Sequence, residues 1–236
     1  AELKVRNYFF TTDFGKRKLN AEIKKLKTKE IWDDEMMGYT DDYLDYIKSV
    51  ALKFQASPHV DIERRVSLDA YIPHLPDEDP ASGSADCILL GDGIIHVIDF
   101  KYGKSPDGRV NAEHNPQMML YALGAYETYR ILYNVHTVRM SIVQPRLVDG
   151  ISEWECSLEE LLAFGEKVKK RADLAIHGSG DFFFAVFFAF SASCAAASSP
   201  EMVKETSSPV CTSSCSGVRL VLSSMCVIAS HIVGVP

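Results

Sequence analysis

The last part of this chain is short of almost everything polar that a soluble domain uses. Residues 182–236 contain no Asp, Asn, Gln, Tyr or Trp. The chain carries 25 Lys and Arg and 32 Asp and Glu, yet only Glu201, Lys204, Glu205 and Arg219 lie beyond residue 181. Four of the six cysteines fall there, and the segment keeps neither a period of 2 nor one of 3.6. Its first apolar run, "FFFAVFFAF", is shorter than the roughly 20 residues a membrane-spanning helix needs, and serines break up the sequence after it. A membrane segment is therefore disfavoured. A stretch translated in a shifted reading frame has this kind of composition, and 182–236 is expected to be an atypical low-charge tail of that origin.

Other absences narrow the function. There is no Walker loop and no Gly-rich dinucleotide fingerprint, so any ATP dependence must come from a partner. The formal net charge of −7 excludes a global positive field, leaving local basic patches as the route to nucleic acid. The seven histidines, His59, His74, His96, His114, His136, His177 and His231, are scattered without metal-ligand spacing. The chain opens on a mixed-charge segment, with no apolar signal region, and a cytoplasmic protein is expected. At 47% hydrophobic and 24% charged, the composition is ordinary for a globular protein.

What is present reads as helices followed by interleaved strands and helices. Residues 1–58 form a helical region: "AELKVRNYFF" begins one helix, and 41–54 places Leu44, Ile47, Val50 and Ala51 on one face. Between them, 15–30 carries Lys16, Arg17, Lys18, Lys24, Lys25, Lys27 and Lys29. Such a run is more often a solvated helical face than a phosphate contact. Residues 60–71 alternate, with Val60, Ile62, Val66, Leu68 and Ala70 on one face; Glu63, on the other, could approach a metal held by the neighbouring hairpin or face water, and the pattern favours water. A loop rich in proline comes next, and 137–145 reads as a further strand. Ser157 and Glu160 make a capping box that opens a last helix.

The chemistry concentrates in "GSADCILLGDGIIHVIDFKYGK", residues 83–104. Asp92-Gly93 between two β-rich runs signals a two-residue type I′ hairpin. That turn sets Leu89 opposite His96 and Asp86 opposite Asp99, with Lys101 on the same face. Both faces of the hairpin are otherwise apolar, so it belongs in a covered sheet, and the acids sit at the rim of a core. Opposed like charges are destabilising unless neutralised. A structural Asp–Lys bridge is one neutraliser. A divalent cation on two carboxylates is another, and Mg²⁺ favours oxygen ligands. Farther on, Asn115-Pro116 reads as an N-cap with proline at the first helical position, and Gln117 and Tyr121, four apart, share a helix face.

Gly83-Ser84-Ala85-Asp86, Asp99-Phe100-Lys101 and Gln117-Met118-Met119-Leu120-Tyr121, in that order, resemble the PD-(D/E)XK nuclease superfamily, in its RecB-like exonuclease branch. The run "VIDFKYGK…NPQMMLYALGA" is similar to phage and prophage members and to CRISPR-associated RecB-like exonucleases. The resemblance implies an α/β fold, a restriction-endonuclease-like core at 59–181 with a central mixed β-sheet flanked by helices. It implies a Mg²⁺- or Mn²⁺-dependent DNA exonuclease in phage DNA processing or recombination, with DNA and a recombination or helicase partner, and no membrane. Asp86, Asp99 and the Phe100 backbone carbonyl would hold the metal. Lys101 would orient or help deprotonate the attacking water and stabilise the transition state. Gln117 would position the site and Tyr121 would contact the DNA backbone. The metal-binding His that such proteins carry before the first strand has no counterpart here. The rival expectation is a non-catalytic module that binds nucleic acid or protein through an incomplete site.

Many relatives of that branch hold an iron–sulfur cluster through one early and three clustered late cysteines. Here no cysteine precedes Cys87, and Cys194, Cys211, Cys215 and Cys226 lack compact C-x-x-C spacing. Cys87 and Cys156 read as small buried hydrophobes. Anaerobically purified protein is expected to contain no acid-labile sulfide and no stoichiometric iron; finding both would overturn this reading of the cysteines.

Overall fold

A computed structural model describes residues 1–74, 79–103 and 108–176. The tail at 182–236, with its four cysteines, and His177 and His231 lie outside the described residues. Three helices come first, α1 (Glu2–Phe9), α2 (Lys16–Leu26) and α3 (Glu35–Ala51). Then come β1 (His59–Ser67), β2 (Ser82–Gly91), β3 (Ile94–Phe100), α4 (Pro116–Tyr129), β4 (Thr137–Val143), β5 (Ile151–Ser157) and α5 (Leu158–Ile176). The strands form one mixed sheet in the order β1-β2-β3-β4-β5, antiparallel throughout except for the parallel pair β3–β4. The fold is α/β, a central mixed sheet flanked by helices. No described helix is long and apolar enough to cross a membrane.

The hairpin between β2 and β3 has the expected turn and register. Asp92 (φ 50°) and Gly93 (φ 73°) both take the left-handed conformation that a type I′ turn requires. Asp92 is held from outside as well, its Oδ2 accepting the Gln55 N–H at 2.7 Å. Gly91 pairs with Ile94 and Leu89 with His96, and the ladder runs to Cys87–Ile98. Period-2 alternation then sends Ile88, Leu90, Ile95 and Val97 into one core with α4 and α5. Cys87, Leu89 and Ile98 enter the other core with Val5 of α1 and Tyr43, Ile47 and Val50 of α3. Both faces are covered, as a hairpin apolar on both sides demands. Cys87 and Cys156 are buried free thiols.

Two features differ from the sequence expectation. The alternation of β1 does not hold through to Leu68: Val60 and Ile62 pack toward α3, whereas Val66 and Leu68 join the core under α4. The cause is Glu63, whose φ of 52° interrupts the pleat between the two halves of the strand. The second is β5, an edge strand absent from the sequence reading. It pairs with β4 from Thr137–Ser157 to Val143–Ile151 and exposes Glu153 and Glu155 at alternate positions.

Helix starts obey their caps. The Asn115 side chain accepts the Met118 N–H at 3.2 Å with Pro116 at the first helical position, and Ser157 Oγ accepts the Glu160 N–H at 3.2 Å. α2 has no buried residue, so its lysines occupy a solvated face. α4 lies close on β1 because Gly124 has no side chain: a Cβ there would stand 2.7 Å from Val66 Cγ2 and 2.8 Å from its Cβ. Gly124→Ala should therefore lower the melting temperature, costing a net ~1–3 kcal/mol by overpacking even though alanine is the better helix former by about 1 kcal/mol. A gain in stability would mean that α4 does not bear on β1 in this way.

Candidate functional site

At the end of the hairpin, one step beyond the last β2–β3 pair, the ladder gives way to side chains. Asp86 Oδ2 accepts the Phe100 N–H at 2.7 Å, taking the place of a strand carbonyl. Asp99 is 5% exposed, and its Oδ2 lies 3.2 Å from Lys101 Nζ, an ion pair without hydrogen-bond geometry. Lys101 is fixed twice. Its backbone N–H donates to the Val143 carbonyl at 2.9 Å, and its ammonium donates to Gln117 Oε1 at 3.2 Å. Gln117 Nε2 in turn donates to the Tyr121 hydroxyl at 3.0 Å. All five residues singled out in the sequence thus converge, joined in the order Asp99, Lys101, Gln117, Tyr121, with Asp86 beside them through Phe100.

The electrostatics derive from burial. The Asp86 carboxyl is pushed up to about 6, first by desolvation and then by the charge of Asp99, against the Phe100 N–H, which lowers it. Burial, with the Asp99 charge adding, pushes the Tyr121 phenol up to about 12. Tyr121 is 8% exposed and its oxygen already serves Gln117. In this arrangement it holds Gln117, while its own O–H remains a donor.

A cavity of about 320 Å³ opens over Asp86 and Phe100, walled by Ala1, by Glu2 and Val5 of α1, by Tyr43 of α3 and by Glu63. Glu63 is solvent-exposed, as its pattern suggests, yet it also faces this cavity and stands level with Asp86 where β1 and β2 run side by side. Desolvation and the Glu2 charge raise its pKa. Glu2 was not identified from the sequence as a site residue, and for Glu63 the pattern favoured water over an approach to the metal. The signal for Glu63 is the β1–β2 register, and the connection from Ser67 to Ser82 leaves that register open to sequence reasoning.

Among the described residues, no group of three or more His, Cys, Asp or Glu is arranged to hold a metal ion. The residues that could hold one are the carboxylates Asp86 and Asp99 with the Phe100 carbonyl. Two carboxylates suit a cation such as Mg²⁺ that keeps most of its waters and takes further oxygens from a phosphate. Two local features fit that group: an Asp99 oxygen with no hydrogen bond among the described residues and an Asp86 carboxyl raised by burial and then by its neighbour's negative charge. His96 is on the other face, its Nε2 2.6 Å from Ser141 Oγ, and burial pushes its pKa down to about 3, so it stays neutral and apart from the acids.

The family model described as "Protein of unknown function (DUF2800)" matches residues 1–207, and the chain belongs to that family. The solved structure described as "Crystal structure of SSO0001" is similar at 17% identity, with a TM-score of 0.34 over 68% of this chain and 69% of that one. A likeness of that size bears on neither fold nor function.

The Asp86 shift has a pH-dependent consequence. With the carboxyl at about 6 in the folded protein and 3.8 ordinarily, the unfolded chain ionises first as pH rises, so stability is lost between about pH 4 and 6. The loss above pH 6 is on the order of 3 kcal/mol. Asp86→Asn keeps an acceptor for the Phe100 N–H. It should raise the melting temperature of metal-free protein at pH 7.5 by several degrees and leave it unchanged at pH 4; equal effects at both pH values would contradict the charge argument.

Proposed function

We propose that this member of the DUF2800 family is a Mg²⁺- or Mn²⁺-dependent DNA nuclease of exonuclease type, hydrolysing phosphodiester bonds in phage or prophage DNA processing or recombination. The observation that carries the reading is a buried acid, Asp99, with the half-buried Asp86 close by, beside an ammonium held by Gln117, which Tyr121 holds in turn. Opposed carboxylates at the rim of an apolar core are costly, and a cation between them offsets that cost. A lysine–aspartate bridge alone does not explain why Gln117 and Tyr121 hold the lysine from the other side.

Each residue then has a task. Asp86 and Asp99, with the Phe100 carbonyl, would hold the cation. A bound divalent ion lowers the pKa of water and draws charge from the phosphate and leaving oxygen. Lys101, as an ammonium, orients the attacking water, whose proton is lost to bulk solvent, and its positive charge faces the phosphate as negative charge builds in the transition state. Gln117 keeps that ammonium from turning toward solvent, and Tyr121 keeps Gln117 in place. Asp86 binds a proton up to about pH 6, so metal binding weakens as pH falls through that value.

A second reading is favoured by one feature, the ligand set of only two carboxylates among the described residues. On that reading the fold binds nucleic acid or a protein partner without cutting. End-labelled linear single- and double-stranded DNA, incubated with Mn²⁺, Mg²⁺ or EDTA, separates the two. Cutting is expected only with metal, and Asp99→Ala and Lys101→Ala should each lose at least ~100-fold in rate, the scale of one transition-state charge contact. Undiminished cutting by folded Asp99→Ala would sink the assignment, and DNA binding without cutting by the wild-type chain would leave the second reading.

A further inference from the structure

Beyond the acids, an unbroken series of aromatic rings leaves the cavity. The Tyr43 and Phe100 rings, which wall it, have centroids 4.9 Å apart. Phe100 is 6.1 Å from Tyr102, and Tyr102 is 6.0 Å from Tyr39 of α3. At the far end stands Arg146, its Cζ 4.6 Å from the Tyr102 centroid and 5.9 Å from that of Tyr39. Tyr102 comes directly after Lys101, and Arg146 lies three residues past Val143, the β4 partner of Phe100 in the parallel pair. Tyr102 and Arg146 therefore leave the same end of two adjacent parallel strands, the end that carries the acids.

This cluster is not complete in itself. Among the described residues, neither Arg146 Nε nor the Tyr102 hydroxyl, both buried donors, has a hydrogen-bond partner. Among the described residues, the acid paired with the guanidinium is Glu35, its oxygen 3.8 Å from Nη2, beyond hydrogen-bond distance, on a side chain that is 56% exposed. A planar guanidinium flanked by two tyrosine rings, short of an acceptor and facing a loosely held carboxylate, matches a phosphate with a neighbouring base.

We infer that Tyr39, Tyr102 and Arg146 form a binding station for one DNA strand, Arg146 taking a phosphate next to the one at the Asp86–Asp99–Lys101 site and the tyrosines offering faces to an unpaired base. The inference rests on the proposal that the ligand of this site is DNA; it does not require cleavage. A single strand is the occupant because a base inside a duplex is stacked on its neighbours and has no free face for a tyrosine. Glu35 then competes with the phosphate for Arg146. A purely structural Arg146, tying the turn after β4 to α3, makes the opposite forecast, since removing the Glu35 charge would loosen the tie and bring no gain in binding.

Fluorescence anisotropy with a labelled oligothymidylate in EDTA, across a salt series, tests this on the full chain without turnover. Glu35→Gln should tighten binding about 3-fold. Arg146→Ala should weaken it about 10-fold and flatten the logarithmic salt dependence by about one phosphate contact, with Arg146→Lys between the two. Should Arg146→Ala melt early, Glu35→Gln decides: unchanged or weaker binding by a folded Glu35→Gln protein overturns the station, as does a wild-type chain that binds no oligonucleotide. The nuclease proposal fails separately, by DNA binding that depends on Arg146 in a protein that never cuts with metal.

Discussion

Asp86 and Asp99 share the end of one hairpin, and that enforced closeness shapes the residues around it. Both strands are apolar on both faces, so helices cover them on both sides, and polar groups have room only where the strands run out. There each unit of negative charge needs an answer. Asp86 finds the Phe100 N–H, Asp99 finds Lys101, and Lys101 is held by Gln117, whose helix begins at a capped turn just ahead of it. Removing Asp99 from this arrangement would lower the Asp86 pKa and loosen the hold on the lysine. The burial of Asp86 therefore costs stability at this point once its carboxyl ionises.

The second layer comes from the elements that were hardest to place. α1 is short, but the burial of Lys4, which donates to the Met37 carbonyl and pairs with Asp41 at 2.6 Å, ties it to α3. It thereby walls the cavity above Asp86. Glu63 reaches the same cavity through a left-handed backbone that also divides β1 between the two cores. One unusual dihedral thus serves the packing of the strand and the placement of a third acid at the cavity wall.

The local decisions were legible in the sequence. Asp92-Gly93 determines a type I′ turn because both residues tolerate positive φ, and the turn determines the Leu89–His96 register by counting. Asn115-Pro116 and Ser157-Glu160 determine where α4 and α5 begin, and helical spacing puts Gln117 and Tyr121 together. Each depends on residues within a few positions of one another, so the conformational alternatives are few. The tertiary structure decided the rest: that β1 turns over at Glu63, that β5 completes the sheet, that Tyr121 is buried behind Gln117, and that Tyr39 and Arg146, more than a hundred positions apart, flank Tyr102. These depend on registers set across long connections and on which helix covers which face, and there packing of the whole core chooses among arrangements that local preference leaves equal in energy.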